Sequence, residues 1–573
     1  MMRMTRLCLL LALGLSARAE DLTLRIAATT DLHGNILPYD YYTARSAERG
    51  LAKIATLIRK ARAENPAFLL VDAGDTIQGS PLETVHQLSL RAHRTSAVDP
   101  PIDPPIDPPI DPMMQAMNAL HYDVMAVGNH EFNYGLANLN AARDAAQFPW
   151  LSANTTLANG SHEKPFAPYI VKIVNGIKVG IIGLTTPGVP SWEEPDHYRG
   201  YHFEPGVAAA ERAIAELEAK HSPDVVILIA HSGLGGESSG SDFPHENMVR
   251  QVASHVPGID AIIYGHTHLE EGGKLVNGVL AMQPKNWGMS LGVMDLVMTK
   301  TDGHWRVKSK SSAVWKVTRD VVGDPEILKI AEPYHQAAET YLSTNVSEAP
   351  ANLSGRFCRV EDTPLIDAIQ IVQLHYAKAD VSFASCFNPR VEVKKGPVTV
   401  RDVAGLYIYD NTLYAIEGTG AMVRAALENA ARFYRQCGDT SCSQGPLINS
   451  RVVGFNYDMA AGVDYEVDLT KPEGARVANL RYHGKPLKDD QALRIAVNNY
   501  RAGGSAGYQM FKGAKVLWRS NDEIRDMIIQ YYSSSDKRTL PARPIGNWRV
   551  VPEGALKELE AEASTEVRRG ENR

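Results

Sequence analysis

The stretch "AVGNHEFNYG" (126–135) joins an apolar run to side chains that can bind metals or protons. The apolar run ends in a glycine, and Asn129, His130 and Glu131 come directly after it. Taken alone, these residues could simply cap a helix and complete a turn. The choice between a structural and a chemical role rests on whether the same construction recurs along the chain.

Residues 22 to about 300 alternate between short apolar runs and amphipathic stretches, such as "GLAKIATLIRKARAE" (50–64) and "GVAAAERAIAELEAK" (206–220). Apolar strands that alternate with such helices indicate an α/β architecture with covered sheets, in which ligand groups gather beyond the carboxyl ends of the strands. The predicted strands are "LTLRIAAT" (22–29), "AFLLVDA" (67–73), "VMAVG" (124–128), "VGIIGL" (179–184), "VVILIA" (225–230) and "AIIYG" (261–265).

Five of these strands deliver metal-competent side chains to a turn, often beside a glycine that allows close approach of the backbone. A single histidine after a strand is more often a satisfied turn residue than a ligand, but five such ends in one α/β unit favour a common metal centre. The residues are Asp31, His33, Asp75, Asn129, His130, His231, His266 and His268.

The chemistry of these donors predicts two divalent ions. Carboxylates, an amide oxygen and imidazoles, without a thiolate, suit Mn, Zn, Fe or Co. Asp75 can bridge, and two ions about 3.5–4 Å apart can clamp the attacking and leaving oxygens of a displacement at phosphorus. Zinc, for example, lowers the pKa of bound water from 15.7 to about 7. We expect His130 to protonate the leaving group or stabilise the phosphoryl oxygens, and Glu131 to hold the turn or orient a ligand.

The ordered motifs "DLHGN", "GD", "GNHEF", "AHSG" and "GHTH" resemble those of the calcineurin-like metallophosphoesterases. The second half extends the resemblance to exported nucleotidases with a C-terminal nucleotide-binding domain. "TTDLHGNILPYDYY", "GFNYDMAAGVDYEVDLT" and "NNYRAGG" are most similar to the periplasmic 2′,3′-cyclic-nucleotide 2′-phosphodiesterase/3′-nucleotidase branch. The resemblance implies a four-layer metallophosphoesterase sandwich (α/β, α+β overall), a C-terminal α/β nucleotide-binding domain and a helical connector. It also implies hydrolysis by attack of metal-bound hydroxide at phosphorus.

The resemblance further implies the ligand sets and the catalytic residue. One ion would be held by Asp31, His33, Asp75 and His268, the other by Asp75, Asn129, His231 and His266, with His130 as the catalytic histidine.

In the second domain the resemblance implies residues that hold the nucleoside. Tyr409 and Tyr500 match the family's two base-stacking positions, and such stacking contributes about 1–3 kcal/mol per base. Arg359 and Arg390 fall where the family keeps substrate-side arginines. The other expected contacts, which either bond the base edge or only shape the turn, are Asn498 and Asn499.

Two departures from the family pattern weaken a 5′-nucleotidase assignment. "ASCFNPR" lacks the glycine-rich asparagine turn of those enzymes, and "NNYRAGGSAGY" lacks their acidic residue after the glycine pair. A 5′-nucleotidase or nucleotide-sugar hydrolase on the same scaffold stays as the alternative, and a non-catalytic nucleotide-binding surface protein as a more distant one.

The predicted organisation includes an N-terminal signal peptide with a short apolar region and a small-residue cleavage site. In order, the predicted segments are the signal peptide (1–19), the dinuclear domain (20–322, with a Pro-rich insert at 100–112), a helical connector (323–349) broken or started near Pro333, the nucleotide-binding domain (350–552) and a charged tail (553–573).

Composition and charge restrict the partners. A net charge of −7 argues against a nucleic-acid polymer bound by blanket phosphate neutralisation, and a small nucleotide is the expected substrate. No later stretch is predicted to span a membrane, and we expect an exported monomer, periplasmic or secreted. The spacing of Cys437 and Cys442 suits a local disulfide, whereas a pairing of Cys358 with Cys386 stays open.

Overall fold

The computed structural model describes residues 20–94, 110–158, 164–235, 246–409, 411–438, 442, 446–534 and 539–571. The predicted signal peptide and most of the Pro-rich insert therefore lie outside the described residues. The α-helices are Leu51–Glu64, Pro81–Arg94, Pro112–Ala119, Gly135–Ala145, Val189–Trp192, Gly206–His221, Val249–His255, Pro325–Leu342, Pro364–Ala377, Val400–Leu406, Gly420–Ala431, Asn499–Ala502, Ile524–Ser533 and Glu553–Glu571. The 3-10 helices are His130–Phe132, Asn286–Gly288, Gly454–Asn456, Ser505–Gly507 and Gln509–Phe511.

Two six-stranded sheets form the first half of the chain. The first sheet, in spatial order, consists of His304–Lys316, Ser290–Thr301, Glu20–Thr29, Phe68–Asp72, Val124–Ala126 and Trp150–Leu151. The second consists of Glu271–Val276, Val279–Gln283, Ala261–Tyr264, Val225–His231, Ile177–Thr185 and Tyr169–Val174. Their central strands pair in parallel, so the carboxyl ends of those strands meet at one edge of each sheet.

The two sheets pack face to face. Leu24 and Val71 of the first sheet lie in one buried cluster with Ile181 and Ile229 of the second. The outer face of the first sheet is covered by helices that include Leu51–Glu64 and Pro325–Leu342, and that of the second by Gly206–His221 and Val249–His255. The result is four layers of helix, sheet, sheet and helix, and the expected α/β architecture is confirmed.

The helix that follows this sandwich does not break at its proline. Pro325–Leu342 is continuous through Pro333, so the expected break or start there is wrong. Asp324 caps the helix by accepting from the amides of Glu326 and Ile327, and Ile327 packs in the same core as the first sheet's outer face. A helical proline removes one hydrogen bond and crowds the preceding turn; here the buried face outweighs that cost.

The second half folds around its own hydrophobic core. Its five-stranded sheet, in spatial order, consists of Asp458–Ala461, Val381–Ser385, Ala492–Asn498, Thr412–Thr419 and Val516–Glu523. Its four-stranded sheet consists of Lys485–Pro486, Val477–Tyr482, Asp464–Asp468 and Trp548–Val551. Within the described residues, the two-stranded pairs of both halves are Tyr201–Phe203 with Thr155–Leu157, Tyr39–Asp40 with Arg45–Ser46, Asn345–Ala349 with Gly396–Thr399, and Leu353–Ser354 with Glu392–Val393.

Two disulfides lie in this half. Cys437 pairs with Cys442, as their spacing suggests, and Cys358 pairs with Cys386. The charged C-terminal segment forms the helix Glu553–Glu571, which buries Ala555 and Leu559. Among the described residues, no helix combines the length and the apolar character needed to cross a membrane.

Candidate metal centre

Strained loops carry most of the predicted ligands to one point. Five of them adopt positive φ angles, a conformation that is uncommon outside glycine and costs on the order of 1–3 kcal/mol per residue. The residues are Asp31 (φ 50°), His33 (46°), Asp75 (60°), His266 (78°) and His268 (55°). Backbone hydrogen bonds between loops hold this geometry: the amide of Asp31 donates to Gly74 O at 2.8 Å, and the amide of His33 to Asp75 O at 3.0 Å.

The ligand atoms converge in two groups. Asp31, His33 and His268 form one, and Asp75, His231 and His266 the other, with the donor atoms of each group within 4.8 Å of one another. The Nε2 atoms of His33 and His268 are 3.0 Å apart. These two groups match the two ligand sets expected from the sequence, apart from Asn129 and the shared use of Asp75.

Asp75 and Asn129 complete the arrangement. The Oδ2 atom of Asp75 lies 2.9 Å from His231 Nε2 and 4.0 Å from His33 Nε2, so it stands between the two groups. The side-chain oxygen of Asn129 is 3.1 Å from His231 Nε2, which places it in the second group. All seven predicted ligands are therefore brought together.

Hydrogen bonds at Nδ1 orient the rings of His231 and His33 so that Nε2 faces the two ligand groups. The Nδ1 atom of His231 is 2.8 Å from the backbone oxygen of Ala73, and that of His33 is 3.2 Å from both oxygens of Gln78. An oxygen at Nδ1 places the proton there and leaves Nε2 to face the centre as a ligand.

The buried charges at this point balance one another. Burial alone would raise the pKa of Asp31 and Asp75, but the surrounding histidines outweigh it and hold both below the usual range. Burial and the neighbouring His268 lower the pKa of His33 to about 4. Burial also opposes charge on His231, yet the carboxylates of Asp75 and Asp31 raise its pKa to about 10. A divalent ion would displace that proton and neutralise the carboxylates in its place, so the donor set fits metal binding.

Glu131 supports the loops that carry the ligands. Its buried carboxylate accepts from the backbone amides of Gly128 (2.7 Å), Asp75 (3.0 Å) and Thr76 (2.6 Å). The side chain therefore joins two strand-end loops and orients Asp75 through its own backbone.

His130 lies beside the two groups. Its Nε2 is 3.9 Å from Asp75 Oδ2, and its ring centroid is 5.1 Å from that of His33. Its Nδ1 is 2.5 Å from Oδ1 of Asn133, and Nδ2 of Asn133 donates to Glu193 Oε1 at 2.6 Å. The sequence analysis missed Asn133 and Glu193; the i, i+3 spacing from His130 was the only local signal for Asn133.

Comparisons with known proteins agree with this geometry. A model of the calcineurin-like phosphoesterase family matches residues 24–270, and a model of the 5′-nucleotidase C-terminal domain matches residues 339–513. The 2′,3′-cyclic-nucleotide 2′-phosphodiesterase/3′-nucleotidase of Haemophilus influenzae is 31% identical over 93% of this chain and 88% of that protein. The chain belongs to this family of two-domain phosphoesterases. It is thus a phosphoric ester hydrolase, and the two groups described above are its candidate sites for divalent metals.

Two further similarities cover most of the chain. The trifunctional nucleotide phosphoesterase protein YfkN of Bacillus subtilis is 30% identical over 93% of this chain, which spans only 39% of that longer protein. A protein described as a 5′-nucleotidase from Staphylococcus aureus, solved in complex with α-ketoglutarate, superposes with a TM-score of 0.74 at 24% identity over 92% of this chain and 99% of that one. This second likeness shows the fold.

In this two-domain phosphoesterase the predicted nucleoside contacts fall in two places. Tyr409 is 40% exposed, with its ring 5.0 Å from Phe387 and 6.2 Å from Phe455. Tyr500 instead stacks on Trp192 of the first domain, with ring centroids 6.3 Å apart and an interplanar angle of 19°.

Local hydrogen bonds also involve Arg359, Arg390 and Asn498. The guanidinium of Arg359 donates to Cys386 O, and the amide of Arg390 donates to the side chain of Asn388. The side chain of Asn498 accepts from the amide of Arg501 and caps a short helix.

Contacts between the domains reach the metal centre. Asn499 donates through its side chain to the backbone oxygen of Trp192 at 3.0 Å, and the ring of Trp192 lies 5.4 Å from that of His266. His266 Nε2 is also 2.8 Å from Glu246 Oε1. Trp192 ends a four-residue helix and Glu246 lies in an irregular segment, so neither belongs to a periodic pattern and the sequence carried no signal for them.

Proposed function

We propose that this protein hydrolyses nucleotide phosphoesters as a 2′,3′-cyclic-nucleotide 2′-phosphodiesterase and 3′-nucleotidase. In the first step water adds at phosphorus and the bond to the 2′ oxygen breaks, which leaves a 3′-monophosphate. A second water then releases phosphate and the nucleoside. The observation that carries the proposal is the convergence of seven side chains with oxygen or nitrogen donors, Asp75 among them, beside His130.

The chain's own residues divide the work. One ion would be held by Asp31, His33, Asp75 and His268, and a second by Asp75, Asn129, His231 and His266. Divalent ions held by these residues would activate water and neutralise charge on the phosphate.

His130 is the residue in position to exchange a proton. Its Nε2 points toward Asp75, and its Nδ1 is engaged with Asn133. We assign it the transfer of the Nε2 proton to the leaving ribose oxygen. Glu131 orients Asp75 through the backbone, so it acts on the reaction indirectly.

The second domain would hold the nucleoside. The half-exposed ring of Tyr409 offers a face for base stacking, next to Phe387 and Phe455. Tyr500 would form the other stacking surface, and Arg359, Arg390 and Asn498 would supply the further substrate contacts that the resemblance implies. Stacking accepts any base, because every base has a π-face.

A 5′-nucleotidase or nucleotide-sugar hydrolase is the alternative, and the match of residues 339–513 to the 5′-nucleotidase C-terminal domain favours it. The test compares phosphate release from 2′,3′-cyclic AMP, 3′-AMP and 5′-AMP by protein loaded with Mn²⁺. The proposal expects turnover of the first two, with 5′-AMP much slower. Preferred turnover of 5′-AMP supports the alternative. If EDTA-treated protein turns over none of the three nucleotides when Mn²⁺ is added back, it is a non-catalytic binding protein.

Export to the periplasm or the medium is part of the proposal. Residues 1–19 have the features of a signal peptide, and the two disulfides suit an oxidising compartment. N-terminal sequencing of protein recovered from an osmotic-shock fraction should begin at Glu20, whereas recovery only from the spheroplast lysate would contradict export.

A further inference from the structure

A chain of three hydrogen bonds leads away from His130. Its Nδ1 is 2.5 Å from the side-chain oxygen of Asn133, and the Nδ2 of Asn133 donates to Glu193 Oε1 at 2.6 Å. The other oxygen of Glu193 is 3.1 Å from Nδ1 of His197. Glu193 is 6% exposed, so water competes little for these contacts.

The carboxylate of Glu193 sets the direction of the two hydrogen bonds between it and His130. An ionised carboxylate only accepts hydrogen bonds, so Asn133 must turn its NH₂ group toward Glu193. The amide oxygen then faces His130. Because that oxygen also only accepts, the proton on this side of the imidazole must lie on Nδ1.

The second domain holds Glu193 in place from both sides. The backbone oxygen of Trp192 accepts from the side chain of Asn499, and Glu194 forms an ion pair of 2.5 Å with Arg519. The carboxylate of Glu193 is therefore fixed by contacts on each neighbouring residue, and its position depends on how the second domain docks.

We propose that Glu193 is a positioning residue for His130, and that it acts through Asn133 to keep a proton on Nδ1. Only Nε2, on the side of Asp75, then exchanges a proton during the reaction. The inference rests on the proposed function in taking His130 as the group that transfers a proton. The assignment of the Nδ1 proton itself follows from the hydrogen bonds alone.

Three variants separate this role from simple packing. Glu193→Gln offers an NH₂ group that can turn the Asn133 amide around and move the proton to Nε2. Asn133→Asp places two carboxylates at the 2.6 Å contact, and their repulsion breaks the hydrogen bond between positions 133 and 193. In the double variant Asn133→Asp/Glu193→Gln, the new carboxylate at position 133 accepts from His130 Nδ1, and the new amide NH₂ group at position 193 donates to that carboxylate. Asp196→Asn is the matched control, because that carboxylate is 74% exposed and pairs with Arg199 on the surface.

The first readout is steady-state turnover of 3′-AMP, with thermal melting to verify folding. Loss of a residue that orients a reacting group typically costs about 10–100-fold, so we expect each single variant to lose that much in kcat with little change in KM. The double variant should recover most of the loss, and the control should match the parent. A double variant as slow as the product of the two single losses would overturn the proposal.

The second readout does not depend on turnover. Long-range ¹H–¹⁵N spectra of histidine-labelled protein loaded with diamagnetic Zn²⁺ report which ring nitrogen carries the proton, and a His130→Ala spectrum assigns the signal. The proposal expects a protonated Nδ1 in the parent and the double variant, and its loss in Glu193→Gln. A bare Nδ1 in the parent would refute it. If the spectra agree but the parent releases no phosphate from nucleotides, the proposed function fails and the assignment of the Nδ1 proton stands.

Discussion

Replacing Glu131 by glutamine tests how the loops of the metal centre are supported. The carboxylate is 1% exposed and accepts from three backbone amides within 3.0 Å. One oxygen accepts from the amides of Gly128 and Asp75, and the other accepts from the amide of Thr76 and, at 3.4 Å, from that of Ile77. Glutamine keeps one oxygen but presents an NH₂ group in place of the second, which must then face at least one N–H.

The magnitude follows from that count. A hydrogen bond to a charged group contributes about 1.5–3 kcal/mol, and a buried donor left without an acceptor costs about 1–3 kcal/mol. The loss is smallest if the retained oxygen serves both Gly128 and Asp75. We therefore expect a destabilisation of about 2–3 kcal/mol for the first domain. Because Asp75 is attached to this network, we also expect Mn²⁺ affinity to fall by about 10–100-fold.

The assay is thermal melting in EDTA, followed by titration with Mn²⁺. Melting without metal isolates the hydrogen-bond effect, since a bound ion would add its own stabilisation. Glu211→Gln, an exposed change of the same chemistry on a surface helix, is the control. A Glu131→Gln protein that melts with the control and binds Mn²⁺ like the parent would refute the reasoning.

Three further predictions concern other parts of the molecule. Burial and repulsion from Asp111 raise the pKa of Glu83, and burial raises the pKa of Asp111 to about 7. A carboxyl whose pKa is raised in the folded state makes the protein less stable as the pH rises from about 4 to that folded pKa, so Glu83→Gln should stabilise the protein more at pH 8 than at pH 5, by about 1.4 kcal/mol per pKa unit of the shift. An equal stabilisation at the two pH values would contradict this. Mn²⁺ at 100 times its dissociation constant should stabilise the EDTA-treated protein by about 2.7 kcal/mol in melting experiments, whereas an unchanged melting temperature would argue against resident metals. Tyr409→Ala should raise KM for 3′-AMP by roughly 5–150-fold, from a stacking loss of about 1–3 kcal/mol, and leave kcat for a nitrophenyl phosphate ester unchanged; an unaltered KM would exclude stacking there.

The central strands of the first domain could be predicted because they are buried on both faces. Such strands appear in the sequence as continuous apolar runs, and "VVILIA" at 225–230 corresponds to the strand Val225–His231. The hairpin of Ser290–Thr301 and His304–Lys316 was not predicted. Its outer strand, His304–Lys316, is polar and half-exposed, and its inner strand joins the sheet through a pairing of Leu24 with Leu296 that no local pattern reveals.

In the candidate site, the metal ligands could be predicted from the sequence and the residues that orient them could not. The ligands stand at strand ends, so their places could be inferred from the strands. The groups that orient them could not, because Glu193 reaches His130 across 63 positions and Glu246 reaches His266 from an irregular segment. At Pro333 the local rule for proline gave a wrong prediction, because tertiary packing preserves the helix where the rule predicts a break.

Anomalous diffraction from crystals of the full chain soaked in Mn²⁺ tests the dinuclear centre most directly. A dinuclear centre predicts two peaks about 3.5–4 Å apart on either side of Asp75, one beside His33 and His268 and the other beside His231 and His266. A single peak, or peaks that lie away from Asp75, would contradict it.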